Sequence, residues 1–130
     1  MSEKNKVKLG VLIPGMGSVA STFICGVIAC NRGLSKPIGS MTQMGSIRLG
    51  KRTEDRNPLV KDFVPTVDMN NLVFTGWDIN KENVYDIALK SKVLKSDLLE
   101  ELKPDLQKIN VLKGVFDKKY VRRLNGDWIK

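Results

Sequence analysis

Apolar and polar positions alternate along this chain in a pattern that occurs twice, with an apolar run breaking at a turn and then resuming at helical spacing. Val7, Leu9, Val11, Leu12 and Ile13 form a β-branched run too short for a helix and closed by Pro14 and Gly15, which predicts a largely buried parallel strand. From Val19 to Arg32 the positions Val19, Phe23, Val27 and Cys30, with Ile24 and Ile28 beside them, follow a helical period, and Gly33 supplies the stop. Gly26 weakens that helix and is expected where the helix packs closely on the strand. The second round is a strand over Leu72 to Trp77, ending in Asp78, Ile79 and Asn80, then a helix from about Asn83 to Leu94. Ser96 is placed to cap a further helix carrying Leu98, Leu99, Leu102 and, past Pro104, Leu106. Ile109 to Phe116 reads as a third strand, interrupted by Asn110, Lys113 and Gly114; Asp117 to Leu124 reads as a basic helix or helical turn, and Asn125-Gly126 as a turn. Strand-then-helix alternation predicts an α/β fold with a short parallel sheet of about three strands and flanking helices.

The stretch 33–65 stands apart. It is rich in glycine, proline and turn formers, with short apolar pieces such as Met44 to Leu49. At roughly thirty residues it is longer than a compact α/β connection, and reads as an insertion between the first helix and the second strand. The 130 residues otherwise suit one domain and one core.

Charge changes the picture at one end. The 22 basic and 14 acidic residues give a net charge of +8, and Lys113, Lys118, Lys119, Arg122, Arg123 and Lys130 crowd the last eighteen positions. Such a tail suits an anionic partner or an acidic surface. The aromatic residues do not interleave with these charges as a stacking platform requires, so nucleic acid is not expected as a partner. Cys25 and Cys30, five apart, point to different helix faces and are expected in core packing rather than in a bridge or metal pair. With no histidine in the sequence, histidine general-base and histidine–metal chemistry are excluded within it, and no metal site is expected. The polar start MSEKNKVK lacks the apolar core of a signal peptide and no run approaches a membrane span, which predicts a cytoplasmic chain without membrane contact.

Candidate chemistry lies at the first turn. In Gly15-Met16-Gly17-Ser18-Val19-Ala20, Gly15 permits a tight turn, Gly17 lets backbone approach a pyrophosphate, and Ala20 is small enough for helix–strand packing. Backbone amides near Ser18 and Val19 then meet phosphates at the positive end of the helix. A strand-to-helix turn without any ligand would use the same residues. Asp78, at the end of the second strand, is the complement: a carboxylate there accepts the hydroxyls of an adenosine ribose and opposes a 2′-phosphate, favouring NAD over NADP. It lies 61 residues after Gly17 instead of the usual twenty or so, an offset the insertion accounts for. An ordinary turn or cap aspartate is the alternative.

Gly39-Ser40-Met41-Thr42-Gln43 and then Gly76-Trp77-Asp78-Ile79-Asn80, in this order behind a glycine loop, resemble the N-terminal part of the myo-inositol-1-phosphate synthase family, also called inositol-3-phosphate synthase. The similarity runs on through Val93-Leu94 to Arg123-Leu124-Asn125-Gly126 and so covers nearly the whole chain. The resemblance implies a Rossmann-like NAD-binding half, belonging to an enzyme that isomerises D-glucose 6-phosphate to myo-inositol phosphate by internal oxidation, aldol cyclisation and reduction, for inositol and phospholipid biosynthesis. It implies that the loop holds the pyrophosphate, that Asp78, Ile79 and Asn80 face the adenosine, that Gly114 and Val115 line the adenine side, and that Asn125 approaches the cofactor. A homotetramer is implied as well. The family's loop carries a third glycine and paired asparagines where this chain has Ser18-Val19-Ala20 and is one residue shorter. The family's catalytic lysines and tetramer-forming sheet lie downstream of these 130 residues, so no catalytic residue is assigned, and residues 1–130 alone are expected to be inactive and to present an unpaired, association-prone first strand. Two alternatives stay open: the front of another NAD-dependent dehydrogenase, and a stand-alone, non-catalytic nucleotide-binding module.

Overall fold

Three parallel strands, β1 (Leu9–Pro14), β2 (Leu72–Asp78) and β3 (Val111–Lys113), lie side by side in that order in the computed structural model, which describes residues 7–130. The polar start MSEKNKVK, which lacks a signal-peptide core, falls mostly outside the described residues. β1 pairs with β2 from Leu9 opposite Leu72 to Pro14 opposite Trp77, and β2 pairs with β3 from Gly76 opposite Val111 to Asp78 opposite Lys113. Three helices connect and cover the strands: α1 (Ser18–Asn31) between β1 and β2, then α4 (Val84–Ser91) and α5 (Ser96–Leu106) between β2 and β3. These helices contact one another, as they do when successive parallel crossovers share one hand and so lie on one side of the sheet.

Alternation along the strands sorts the residues by face. Val11, Ile13 and Phe74 turn toward the helices and pack with Ile24, Cys25, Val84, Ile87, Ala88, Leu99, Leu102 and Leu106. Leu12, Val73, Trp77 and Leu112 occupy the alternate positions and are exposed, Leu12 at 64%.

Helix α1 is closed by a Schellman motif: Gly33, at φ +73°, donates to the Cys30 carbonyl and Leu34 to that of Ala29. Its buried face is Ser21, Ile24, Cys25, Val27 and Ala29. Of the expected stripe, Val27 is buried while Val19 and Phe23 are exposed at 86% and 49%; the helix is apolar nearly all round, so spacing alone did not select the covered face. Gly26 also differs from expectation. A Cβ placed there would meet nothing within 4 Å, so close packing is not its reason. The two cysteines are free, with Cys25 in the core and Cys30 partly exposed. Arg32, just past the helix, ties it to α5 through the Glu101 carbonyl at 2.8 Å and the Asp105 carboxylate at 2.6 Å.

The segment 33–65 folds back on itself. Short helices α2 (Met41–Met44) and α3 (Val60–Phe63) touch, and two antiparallel bridges, Ser46 with Leu59 and Leu49 with Arg56, join the arms between them. Neither helix buries a residue.

Beyond β2 several boundaries move. Asn83 caps α4 by accepting from the Asp86 amide, and Lys92, left-handed at φ +55°, ends it three residues before Lys95, so Val93 and Leu94 lie outside. Lys95, and not Ser96, is the N-cap of α5, and it makes no side-chain cap bond. The third strand is three residues long. From Gly114 the chain leaves β3, and 117–124 forms turns and no helix. This tail instead curls back: the Asp127 and Trp128 amides donate to the Ile79 carbonyl, Phe116 bridges Ile129, and the Lys81 and Lys113 ammoniums stand 5.2 and 4.6 Å from the Trp128 ring centre. Gly126 serves that return in place of the turn read from Asn125-Gly126. A Cβ on it would lie 2.6 Å from the Ile79 carbonyl oxygen.

Candidate functional site

The C-terminal ends of β1 and β2 and the start of α1 meet at a cleft of about 220 Å3 lined by Met16, Gly17, Ser18, Asp78, Asn80, Glu82, Ile87, Lys90 and Ser91. Its position, outside the carboxyl ends of parallel strands, is where open α/β sheets accept ligands. Pro14 cannot donate to a neighbouring strand, and Gly15 turns the chain at φ +96° while its amide donates to the Trp77 carbonyl at 2.8 Å. Met16, 1% exposed, anchors the loop from below. Gly17 is the N-cap of α1 and provides no side chain to cap it. The first bond of the helix runs from the Ser21 amide to the Gly17 carbonyl at 2.9 Å, so the amides of Ser18, Val19 and Ala20 come before the ladder. No acidic residue occupies that first turn. Uncapped amides, the positive end of a fourteen-residue helix, and a glycine whose Cβ position is open make a seat for an anion.

Asp78 holds the opposite wall. Its Oδ1 accepts from the amide and the side-chain nitrogen of Asn80, at 2.9 and 3.2 Å, which fixes the carboxylate at the strand end. This leaves Oδ2 for a hydroxyl donor. Glu82 follows in the loop and pairs its Oε1 with the Lys90 ammonium at 2.8 Å; that partner raises the Lys90 pKa above its ordinary value, chiefly through the hydrogen bond.

The cleft therefore gathers Met16, Gly17, Ser18, Asp78 and Asn80 from the sequence candidates, with Gly15 shaping the turn behind them. Val19 lines an adjoining apolar groove with Ser18, Thr22, Phe23 and Val93, and Ala20 packs against the core. Ile79 contributes its carbonyl to holding the tail. Gly114 lies against the same strand end, its amide donating to the Asp78 carbonyl at 2.7 Å. Val115 is exposed, and Asn125 accepts from Lys118 at 3.3 Å; neither lines the cleft. Sequence reasoning missed Glu82, Ile87, Lys90 and Ser91. The opposite charges of Glu82 and Lys90 at either end of an expected helix were the available signal. Among the described residues no group of three or more acidic, cysteine or histidine side chains could hold a metal ion, and no helix is long and apolar enough to cross a membrane.

Residues 9–130 match the family model of myo-inositol-1-phosphate synthase, that of an NAD-binding domain. The chain belongs to this family. An inositol-3-phosphate synthase of Bacteroides thetaiotaomicron is 44% identical over 124 residues, which cover 95% of this chain and 28% of that protein. Isozyme 1 of inositol-3-phosphate synthase from Arabidopsis thaliana is 35% identical over 131 residues, covering 92% and 26%. The crystal structure of inositol-3-phosphate synthase from Caenorhabditis elegans superposes with a TM-score of 0.70 at 25% identity, over 94% of this chain and 28% of that one. The chain thus spans about a quarter of the length of the inositol-3-phosphate synthases it matches, and corresponds to their N-terminal, NAD-binding part. The Rossmann-like half-sheet and the NAD expected from the glycine loop agree with that membership.

Proposed function

We propose that the cleft between the α1 N-terminus and Asp78 is the NAD site of an inositol-3-phosphate synthase, with residues 1–130 as the N-terminal part of its Rossmann-like domain and 33–65 as an insertion between the first helix and the second strand. The observation that carries this is the joint presence, in one cleft, of the uncapped helix start at Gly17 and the carboxylate of Asp78. The residues fit the cofactor. The amides of Ser18 and Val19 and the bare backbone of Gly17 receive the pyrophosphate, with Gly15 shaping the turn, Met16 anchoring it and Ala20 seating the helix. Asp78 Oδ2 accepts the ribose hydroxyls, and Asn80 holds that carboxylate in place. Ile79, Gly114, Val115 and Asn125 are assigned to the adenosine side.

NAD supplies the oxidising and reducing capacity for the internal redox steps when bound. Residues 1–130 bind and orient it, while the groups that act on D-glucose 6-phosphate lie outside them, so this stretch alone binds cofactor without turnover. The parent is a cytoplasmic homotetramer on this reading, and its product enters phospholipid biosynthesis.

NAD titration of the full chain beside Asp78→Asn tests the assignment. The substitution keeps size and removes charge, and weakens NAD by about 1.5–3 kcal/mol, the worth of a hydrogen bond to a charged group, while NADP improves relative to NAD. Unchanged affinity for both cofactors would overturn the role of Asp78. Turnover of D-glucose 6-phosphate by residues 1–130 alone would overturn the division of labour.

A further inference from the structure

We propose that Glu82 is a specificity-determining residue of this cleft: by holding Lys90 in an ion pair it withholds from a 2′-phosphate the cation that lines the site. The inference rests on the cleft being the NAD site.

Asp78 explains why ribose hydroxyls are accepted, but one carboxylate is a weak barrier to NADP if a lysine stands nearby. Sites for the 2′-phosphate use a basic side chain at this corner, because a dianion in a partly desolvated cleft needs a counter-charge. Lys90 is such a side chain. It comes from the last turn of α4 and lines the same cleft as Asp78, Gly17 and Ser18. Its stem is not held by packing, since 74% of the side chain is exposed, and what fixes its position is the 2.8 Å contact with Glu82.

Glu82 sits in the loop between the end of β2 and the N-cap of α4, where Asn83 binds Asp86 at 2.7 Å and leaves Glu82 free to face the cleft. The lining then carries two carboxylates against one ammonium. A 2′-phosphate entering beside Asp78 meets net negative charge and a lysine already neutralised. As a contribution to stability this exposed pair is worth little; its consequence lies in which nucleotide the cleft tolerates.

The test is titration of NAD and NADP against the full chain and its Glu82→Gln and Glu82→Gln/Lys90→Met variants, at one low salt concentration because exposed charges are screened. The E82Q change should raise the ratio of NADP to NAD affinity about fivefold, the upper range for a partly exposed charge pair. Adding K90M should return the ratio to its starting value. A ratio unmoved by E82Q overturns the proposal, and a raised ratio that survives K90M overturns the part given to Lys90. If the unaltered chain binds NAD and Asp78→Asn weakens it while E82Q changes nothing, this inference alone fails. If the unaltered chain binds no NAD, the site assignment fails with it.

Discussion

The amide of Gly15 donates to the carbonyl of Trp77 at 2.8 Å, extending the rungs between β1 and β2 by one residue beyond the strand pairing, at φ +96°. Strand end and glycine loop are thereby tied together, and the direction in which Gly17 leaves is set by β2. Fold and ligand roles separate at the two glycines. A Cβ meets nothing within 4 Å at either, so no clash confounds the comparison. Gly15→Ala forces a side chain into the left-handed region and should cost about 1–2 kcal/mol in urea unfolding. Gly17, in ordinary extended backbone at φ −92°, should tolerate Ala with a much smaller stability change, yet, if the proposed site is right, lose NAD affinity because the methyl would stand in the path proposed for the pyrophosphate. Equal stability losses in the two variants would refute the distinction.

Gly26 gives the opposite expectation. It lies mid-helix in α1, where glycine costs about 1 kcal/mol relative to alanine, and it borders an open groove of about 530 Å3 between α1 and the 33–65 segment. Gly26→Ala should therefore raise the stability of residues 1–130 by about 0.5–1 kcal/mol. Thermal and urea melts measure it. A decrease would mean that the groove closes over Gly26.

How legible these features are in the sequence varies with the physics behind each. The β-branched run before Gly15 and the Asp78 strand end have few alternatives, because a short apolar run closed by Pro-Gly cannot continue as a helix. α1 is legible as a helix but not its orientation, since Val19 and Phe23 are as apolar as Ile24 and Cys25; only the latter two are enclosed in the core, while half-exposed Phe23 meets Phe74 edge-on with ring centres 5.7 Å apart. Asp117 to Leu124 reads as a basic helix or helical turn, and it forms turns only, with the Tyr120 and Val121 amides on the Asp117 carbonyl; what the local pattern does not encode is the long-range bonding of the tail to the Ile79 carbonyl. Glu82 and Lys90 offer only their opposite charges as a signal: eight residues apart, they meet because one precedes a helix and the other sits in its last turn.

Burial in the core pushes the Cys25 thiol from its ordinary 9.0 up to about 11. The folded protein thus keeps its proton at pH values where the unfolded chain has released it. A raised pKa stabilises fully below about 9, and the contribution is lost as pH climbs toward 11, with a slope of about 1.4 kcal/mol per pH unit. Urea melts through that window should show the decline in the unaltered chain and a shallower one in Cys25→Ala. Parallel slopes would show that Cys25 does not titrate with unfolding. A thiol reagent should modify the partly exposed Cys30 well before Cys25.

Parallel sheets are normally covered on both faces, and here the helices cover one. Leu12, Val73, Trp77 and Leu112 form an exposed apolar face, and β1 lies at the end of the strand order. Residues 1–130 in isolation should therefore associate, with edge pairing at β1 and burial of that face acting together. Sedimentation at increasing concentration should show growth beyond the monomer, and Leu12→Lys with Val73→Lys should suppress it without altering the helix-side core, because both side chains point away from Ile24 and Leu102. A monomeric profile across the concentration range, combined with a sharp cooperative melt, would show that this half-sheet stands by itself and that its open face needs no cover.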